Sequence, residues 1–376
     1  MKPSVEIVPD LSIINSQDWD ALVHPNDPFG THAFLSTLES SGSVGGRSGW
    51  QPCHVVVKED NTLIAAMPLY LKTNSYGEYI FDWGWAEASE RSGIPYYPKL
   101  VSAIPFTPAS GERLLVHPDR QRSELELILI DIAMQLAEQL NAHSIHWLCV
   151  SHQSPPVSHL HRRETLQFHW NNPGVLSFED WLQLFKTKER KKIRAERRKA
   201  HTGVDKIQCV HGNNLTPEQI AMIWNCYRDT ISRKWGQAYM KEAFFTALST
   251  TLAPLVRVFF AYKEERIVAS SLCFERGKHL YGRYWGATED IDSLHFELCY
   301  HQPIEYCIQH GLTKFEAGAQ GEHKLKRGLL ATGVYSWHWL EHAGLHHGVG
   351  EFLVEEIDAT QRNIAHYNAH SPLKPI

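Results

Sequence analysis

Residues 280–326, LYGRYWGATEDIDSLHFELCYHQPIEYCIQHGLTKFEAGAQGEHKLK, read as strand, polar loop, amphipathic helix, strand and charged loop. Period-two alternation from Leu280 to Gly286 predicts Tyr281, Arg283 and Trp285 on one face, with Gly282, Tyr284 and Gly286 on the other. Glycines at alternate positions suggest close approach of a neighbour or ligand. Asp290, Asp292 and Ser293 suit the N-cap of a helix from Leu294 to Gln309, kinked at Pro303 and stopped by Gly311. The return strand, Lys314 to Gln320, sets Lys314, Glu316, Gly318 and Gln320 against Phe315, Ala317 and Ala319; a charged face on a central strand is costly unless it lines a site. Such a unit predicts parallel strands with ligand beyond their carboxyl ends, where His295, Glu297, Gln320, Glu322 and His323 are expected to gather.

The whole chain has 376 residues, 43% of them hydrophobic, enough for a large core and two domains. A net charge of −5 gives no global field for nucleic acid, so contact with a polyanion must be local. Cys53, Cys149, Cys209, Cys226, Cys273, Cys299 and Cys307 form no C-x-x-C pair and read as reduced core thiols of a cytoplasmic protein. The opening MKPSVEIVPD lacks the apolar core of a signal peptide. The most apolar stretch, LELILIDIAMQLAEQL, carries Glu126, Asp131 and Glu138 and reads as a soluble helix; peripheral membrane contact stays open.

In chain order, helices are expected over residues 16–23 and 31–40, before a connector, SGSVGGRSG, that misses the G-x-x-x-x-G-K-[ST] phosphate pattern. HVVVK and TLIAAMPLYLK form a hairpin, YGEYIFDWGWAEA a third strand, Ser123 to Leu140 a helix and Ser144 to Val150 a strand. The second half repeats this order through VRVFFAYK, RIVASSLCFE, LYGRYWGATE, a helix and KFEAGAQ. LIAAMPLYL echoes RIVASSLCF, and YGEYIFDWGWAE echoes LYGRYWGATE. The expected architecture is α/β (α+β): two copies of one mixed sheet flanked by helices, at residues 1–160 and 204–376, joined by 161–203.

That connecting segment holds SFEDWLQLFKTKERKKIRAERRKA, read as one helix. Between Lys186 and Lys199 only Glu189 and Glu196 oppose a run of lysines and arginines. This stripe is either a solvated face or a seat for the phosphates of a nucleotide sugar, coenzyme A, transfer RNA or an anionic lipid. Arg190 and Arg194, one turn apart, are its first candidates. The 23 histidines include no H-E-x-x-H or zinc-type Cys/His spacing, so no metal is expected. No G-x-S-x-G or G-x-G-x-x-G supports a serine hydrolase or a dinucleotide enzyme. Asp82, with Trp83 and Trp85, marks a second polar and aromatic spot, as an acceptor wall or an interface between the copies.

The motifs YIFDWGWAEA, YYPKL, PFTP, FHW, KERKKIRAERR, RKWG, LYGRYWG, LHFELCYHQ, EAGAQGEHK and YSWHWL, spread over nearly the whole chain, resemble the FemAB-like family. That family is named for peptidoglycan biosynthesis or recognition, within the acyl-CoA N-acyltransferase (GNAT-like) superfamily. The resemblance implies tandem GNAT-like domains; in the wider Fem group, it implies transfer of an aminoacyl group from charged transfer RNA to a peptidoglycan precursor. Two departures stand out. The Gly-rich turn that holds a donor pyrophosphate in acyl-CoA transferases is replaced by ATEDIDSLHF, and Ala331 and Trp337 stand where the family has a proline and a smaller residue.

The expected function is therefore amide-forming N-acyl transfer, with acyl-CoA or another acyl thioester as co-substrate and no tightly bound cofactor. An acyl carrier protein or a charged tRNA is the rival donor. A cell-wall precursor, a lipid-like long-chain amine or a small-molecule amine is the acceptor. Such chemistry needs a base, an oxyanion site and a proton for the leaving group. Glu297 or His295 is the base, with His323 and Glu322 as rivals. Backbone N–H groups or Arg283 meet the oxyanion, unless Arg283 and Glu316 simply pair across adjacent strands. Lys324, Lys326 and Arg327 hold phosphate, and Gln320, Tyr284 and Trp285 line the site. The contrary class is a non-catalytic binder of a phosphorylated or glycan ligand.

Overall fold

A computed structural model describes residues 3–234, 238–319 and 321–374. The chain forms two compact units, residues 1–166 with 333–362, and residues 167–332 with 363–376. These are not the contiguous blocks expected from sequence. The reason is strand pairing: residues 335–340 run antiparallel to residues 144–150 and so complete the first unit.

In the first unit β1 (Ser4–Val8) precedes α1 (Ser16–Asp20) and α2 (His32–Ser40), the latter started by Thr31 Oγ1, which accepts from the Phe34 N–H. Then come β2 (Trp50–Pro52), β3 (His54–Glu59), β4 (Thr62–Met67), β5 (Tyr70–Lys72), α3 (Trp83–Arg91), β6 (Lys99–Ser102), β7 (Leu115–Val116), α4 (Arg122–Gln139) and β8 (Ser144–Val150). Asp60 and Asn61, at φ 50° and 65°, make the tight turn of the expected β3–β4 hairpin. TLIAAMPLYLK does not continue as one strand. Pro68 breaks it, leaving β4 in the sheet β1-β3-β4-β7 and β5 in a separate sheet beside β2 and β6. On α4, Leu125, Leu129, Ile130, Ala133, Leu136 and Ala137 recur at helical spacing and pack on Val55, Val57, Ile145 and Trp147.

The stretch YGEYIFDWGWAEA is not a strand: it is a loop followed by α3, so its echo of LYGRYWGATE fails as structure. What the two halves share is a strand, a helix and a parallel strand. In the first unit these are β6, α4 and β8, with Leu100 opposite Ile145.

In the second unit β9 (His161–Asn171, from Gln167 onward) is followed by α5 (Phe178–Gln183), α6 (Thr187–Thr202), β10 (Lys206–His211), α7 (Pro217–Lys234), α8 (Glu242–Thr246), β11 (Val256–Lys263), β12 (Arg266–Arg276) and β13 (His279–Ala287). A helical run follows, made of α9 (Leu294–Phe296), a π turn (Glu297–His301) and α10 (Gln302–Gln309); then come β14 (Lys314–Glu316) and a 3-10 turn (Glu322–Arg327). β15 (Leu330–Leu340) and α11 (Ala343–Ala369) are the last strand and helix of the described residues, and residues 333–362 of them belong to the first unit. The strand order in this unit is β10-β11-β12-β13-β14-β9, antiparallel except for β13–β14, which is parallel as expected. The expected single basic helix is two, α5 and α6, and Ser177 caps the first through the Asp180 N–H.

Among the described residues no helix is long and apolar enough to cross a membrane, and no group of three or more His, Cys, Asp or Glu is placed to hold a metal ion.

Candidate functional site

β13 is bulged. Its ladder to β12 shifts between the pairs Cys273–Gly282 and Leu272–Tyr284, so Arg283 is an extra residue. The bulge overturns the predicted faces. Past it the alternation reverses, putting Tyr281, Tyr284 and Gly286 on one face and Gly282 and Trp285 on the other. The first face carries α7 and α8: Tyr284 packs against Tyr227 at 4.8 Å, and Gly286 against Cys226 of α7. The second carries the helical run, with Trp285 edge-on to His295 at 5.2 Å.

β13 and β14 pair only from His279–Lys314 to Tyr281–Glu316; β13 continues for six residues while the return strand stops short of its expected end. Gly318, at φ 81°, turns the chain away with the left-handed backbone a glycine adopts freely. The ladder between the two parallel strands thus ends at Glu316, while Ala317 and Gly318 stay within van der Waals reach of Gly282 at the bulge. Gln320 lies outside the described residues, as do Trp235 and Gly236 of the RKWG motif.

Beside the end of this ladder the second face gathers an aromatic and imidazole cluster. His295 lies 5.6 Å from Tyr300 and 5.9 Å from His323, ring to ring, and the Tyr300 hydroxyl is 2.8 Å from His323 Nε2. Phe296 packs at 5.9 Å from His323, with the Arg327 guanidinium over its ring, 3.5 Å from the centroid. The irregularity expected of Pro303 appears here as the π turn just before it. A proline has no N–H and its ring crowds the carbonyl of Cys299, so the helix widens where Glu297 and Tyr300 leave it. Ser293 precedes the run at φ 65° and its side chain caps no helix N–H, against expectation.

Glu297 does not join this cluster. It is fully buried against α6, held by Arg197 at 3.0 Å, His201 at 3.0 Å and Gln302 at 2.7 Å. Burial acts to raise its carboxyl, but the His201 hydrogen bond and the Arg197 charge outweigh burial and hold it at about 2. It is a fixed carboxylate. Glu322 is exposed and accepts from the Tyr367 hydroxyl. Glu316 is buried, 2.5 Å from the Lys314 amine and 3.8 Å from His169, while the Arg283 guanidinium lies 3.1 Å from the Tyr284 hydroxyl.

The expected phosphate holders divide. Lys324 is 1% exposed and donates to the Gly318 carbonyl at 2.5 Å; burial pushes its amine down to about 8. Arg327 is buried in an ion pair with Glu196. Only Lys326 is exposed. On α5 and α6, Arg190 binds Gln183, Arg194 pairs with Glu179, Lys192 with Glu189, Arg197 with Glu297 and Glu305, and Lys199 with Asp292. The stripe is largely neutralised by its own unit, and Lys188, Lys191 and Arg198 are its exposed remainder.

In the first unit Asp82 is buried, not a surface wall. Its Oδ2 accepts from Lys99 at 2.5 Å and Tyr96 at 2.5 Å, and Lys99 also bonds Glu78 at 2.9 Å. Burial would raise the Asp82 carboxyl, yet the Lys99 charge keeps it well below the usual range; burial dominates at Glu78 and at Lys72, moving each to about 7. Trp83, by contrast, is exposed beside Phe81 and Tyr76, with centroids at 5.9 and 5.1 Å.

Sequence reading missed Tyr300, Arg197 and His169. Tyr300 lies one helical turn beyond Phe296, and His169 alternates with Gln167 on β9; those spacings were the available clue.

The FemAB-like family, described as peptidoglycan biosynthesis/recognition, matches residues 10–375. A search of curated proteins gives no match. The crystal structure of FemX is similar with a TM-score of 0.53 at 13% identity, covering 93% of this chain and 100% of FemX. L-PGS from Bacillus licheniformis is similar at 0.55 and 11% identity, over 96% of this chain and 99% of its own. A DUF2156 domain from Agrobacterium fabrum, named for lysylphosphatidylglycerol synthesis, is similar at 0.53 and 9% identity, over 92% and 95%. At such identities the likeness is one of fold. With a match across nearly its whole length, and with two mixed α/β units in its fold, the chain belongs to the FemAB-like family.

Proposed function

We propose that the protein is a Fem-type transferase, passing an activated aminoacyl group from an ester donor to an amine of a cell-wall or lipid-like acceptor. The observation that carries this reading is the end of the β13–β14 ladder at Glu316, beside the bulge at Arg283. In this reading the acyl group lies along the backbone of β13 beyond the end of that ladder. Family membership supports the substrate class, and the neighbour named for lysylphosphatidylglycerol supports aminoacyl transfer.

In this reading the acceptor nitrogen, uncharged, attacks the ester carbonyl carbon and the carbonyl oxygen becomes an oxyanion. Backbone N–H groups along β13 and the Lys324 ammonium stabilise it. His323, oriented by Tyr300, takes the proton from nitrogen and returns it to the ribose oxygen as the C–O bond breaks. Arg327 and Glu196 hold the turn that carries His323. Glu297 and Arg197 fix the helical run on α6 and take no proton.

A thioester donor is the second reading, favoured by one observation. The bases of α6 are mostly held within the unit, leaving few for a long polyanion. Loss of label from aminoacyl-tRNA and from acyl-CoAs, each with and without a panel of amines, tests both. Faster loss from the charged RNA, with label appearing on an amine and abolished by His323→Ala, is expected. Loss from acyl-CoA alone would replace the first reading by the second. No turnover of any donor, with binding of glycan or phosphate ligands intact, would leave a non-catalytic binder.

A further inference from the structure

Three strands of the second unit line up one row of side chains. Tyr281 lies opposite Glu316, and Glu316 opposite His169, in register across β13, β14 and β9. Directly opposed residues project to the same face, so the three share the face that carries Tyr284. This is also the last paired row of the β13–β14 ladder. All three side chains are buried.

His169 has a hydrogen-bonding deficit. Its Nε2 faces two acceptors, Gln167 Oε1 at 3.2 Å and Glu316 Oε2 at 3.8 Å. A neutral imidazole carries one N–H, and that environment places it on Nε2. Burial keeps the ring neutral, holding it down at about 4; Glu316 opposes this, and Lys314, Lys324 and His279 assist it. Nδ1 is then a bare lone pair, buried and without a partner. A buried acceptor left unsatisfied is costly, and natural proteins rarely leave one without a use. A ring that stays neutral far below physiological pH is a weak base, so its use is to accept a hydrogen bond.

Resting on the transferase reading above, we infer that His169 is a specificity-determining residue, whose Nδ1 accepts a hydrogen bond from the amino group of the aminoacyl donor, beside the Glu316 carboxylate. The chemistry selects its ligand class. An ammonium brings N–H donors to the bare nitrogen and a positive charge to Glu316. A plain fatty acyl chain brings neither, and would bury the same lone pair against methylene groups. The row therefore separates aminoacyl from simple acyl donors at the end of the β13–β14 ladder, a selection distinct from the proton transfer given to His323.

The test uses two adenosine derivatives that cannot be hydrolysed, a 3′-amide bearing an alanyl group and its propionyl counterpart lacking the amine, titrated calorimetrically into the full chain. The unaltered protein is expected to prefer the alanyl compound by about tenfold. His169→Phe, which keeps a ring of similar size, is expected to reduce that preference to within about twofold, with propionyl affinity unchanged. His169→Asn, which retains an acceptor, is expected to restore part of it. If His169→Phe does not fold, ¹⁵N-histidine spectra of the unaltered protein give the same answer. The His169 Nδ1 resonance should move with the alanyl compound and stay with the propionyl one. Equal affinity of both compounds, or an unmoved resonance, overturns the role of His169 and leaves the transferase reading standing. Binding of neither compound by folded protein overturns the aminoacyl reading itself.

Discussion

Lys99 on β6 donates to Asp82 Oδ2 across 2.5 Å, with both side chains shut away from solvent. The same ammonium bonds Glu78 at 2.9 Å and Ser75 at 2.8 Å, and Lys72 stands 3.5 Å from the other Glu78 oxygen, so Lys99 is the cation shared by both buried carboxylates. Breaking such a group by removing one partner costs about 3–5 kcal/mol, because the charges left behind have no water. Lys99→Met is expected to lower urea-unfolding stability by that amount, and adding Asp82→Asn to recover part of it. An unchanged midpoint in the single variant would show that the carboxylates are already protonated.

Glu297 makes stability depend on pH. Its folded value of about 2 lies below the ordinary 4.5, so its contribution is present above pH 4.5 and lost as pH falls towards 2. A shift of this size corresponds to about 3 kcal/mol at neutral pH. Unfolding free energies measured between pH 6 and pH 2 should fall less steeply for Glu297→Gln than for the unaltered chain.

Lys324 has the opposite character. For a base whose folded value is depressed, from 10.5 to about 8, folding carries a cost that is fully present below 8 and fades as pH rises past 10.5. Lys324→Met is expected to match or exceed the unaltered protein in stability at pH 7, by up to about 3 kcal/mol, while transfer falls at least about a hundredfold. Loss of both stability and activity would make the ammonium a structural anchor instead.

Two glycines of β13 separate packing from function. A Cβ on Gly286 would lie 2.5 Å from the Cys226 Cβ and 2.7 Å from its Cα, whereas one on Gly282 would meet nothing closer than Phe315 at 3.4 Å. Gly286→Ala should cost about 1–3 kcal/mol by forcing α7 off the sheet. Gly282→Ala should leave the melting temperature within a degree or two and weaken donor binding.

Tyr300→Phe removes one oxygen, the partner of His323 Nε2 at 2.8 Å. If His323 carries the proton, kcat should drop by about 10- to 100-fold with KM nearly constant, and the pH profile should shift. An unchanged profile would assign the proton to another group.

Much of this was legible in the residues. Leucine spacing announced α4, and the Asp60–Asn61 pair announced the first hairpin. A helix between parallel strands was readable because Gly311 and Leu312 give it so short a return. What escaped was whatever one inserted residue can change. Arg283 looks like any member of an alternating strand, yet as a bulge it exchanges the faces of everything after it. YGEYIFDWGWAEA is aromatic and alternating enough to pass for a strand, but Asp82 is drawn inward by Lys99 and the chain coils into α3 instead. The basic stripe of α6 was visible as charge, while its partners Glu297, Glu305 and Asp292 lie about a hundred residues away and only folding brings them close.

The return of residues 333–362 to the first unit sets the timing of folding during synthesis. His146 and His338, hydrogen-bonded at 2.7 Å, are 192 positions apart, and the β8–β15 pairing around them cannot form until residues 167–332 of the second unit have left the ribosome. The N-terminal half must therefore wait, with the β8 edge uncovered, while its neighbour is made. A nascent chain of this kind is a natural client for a chaperone that shields strand edges.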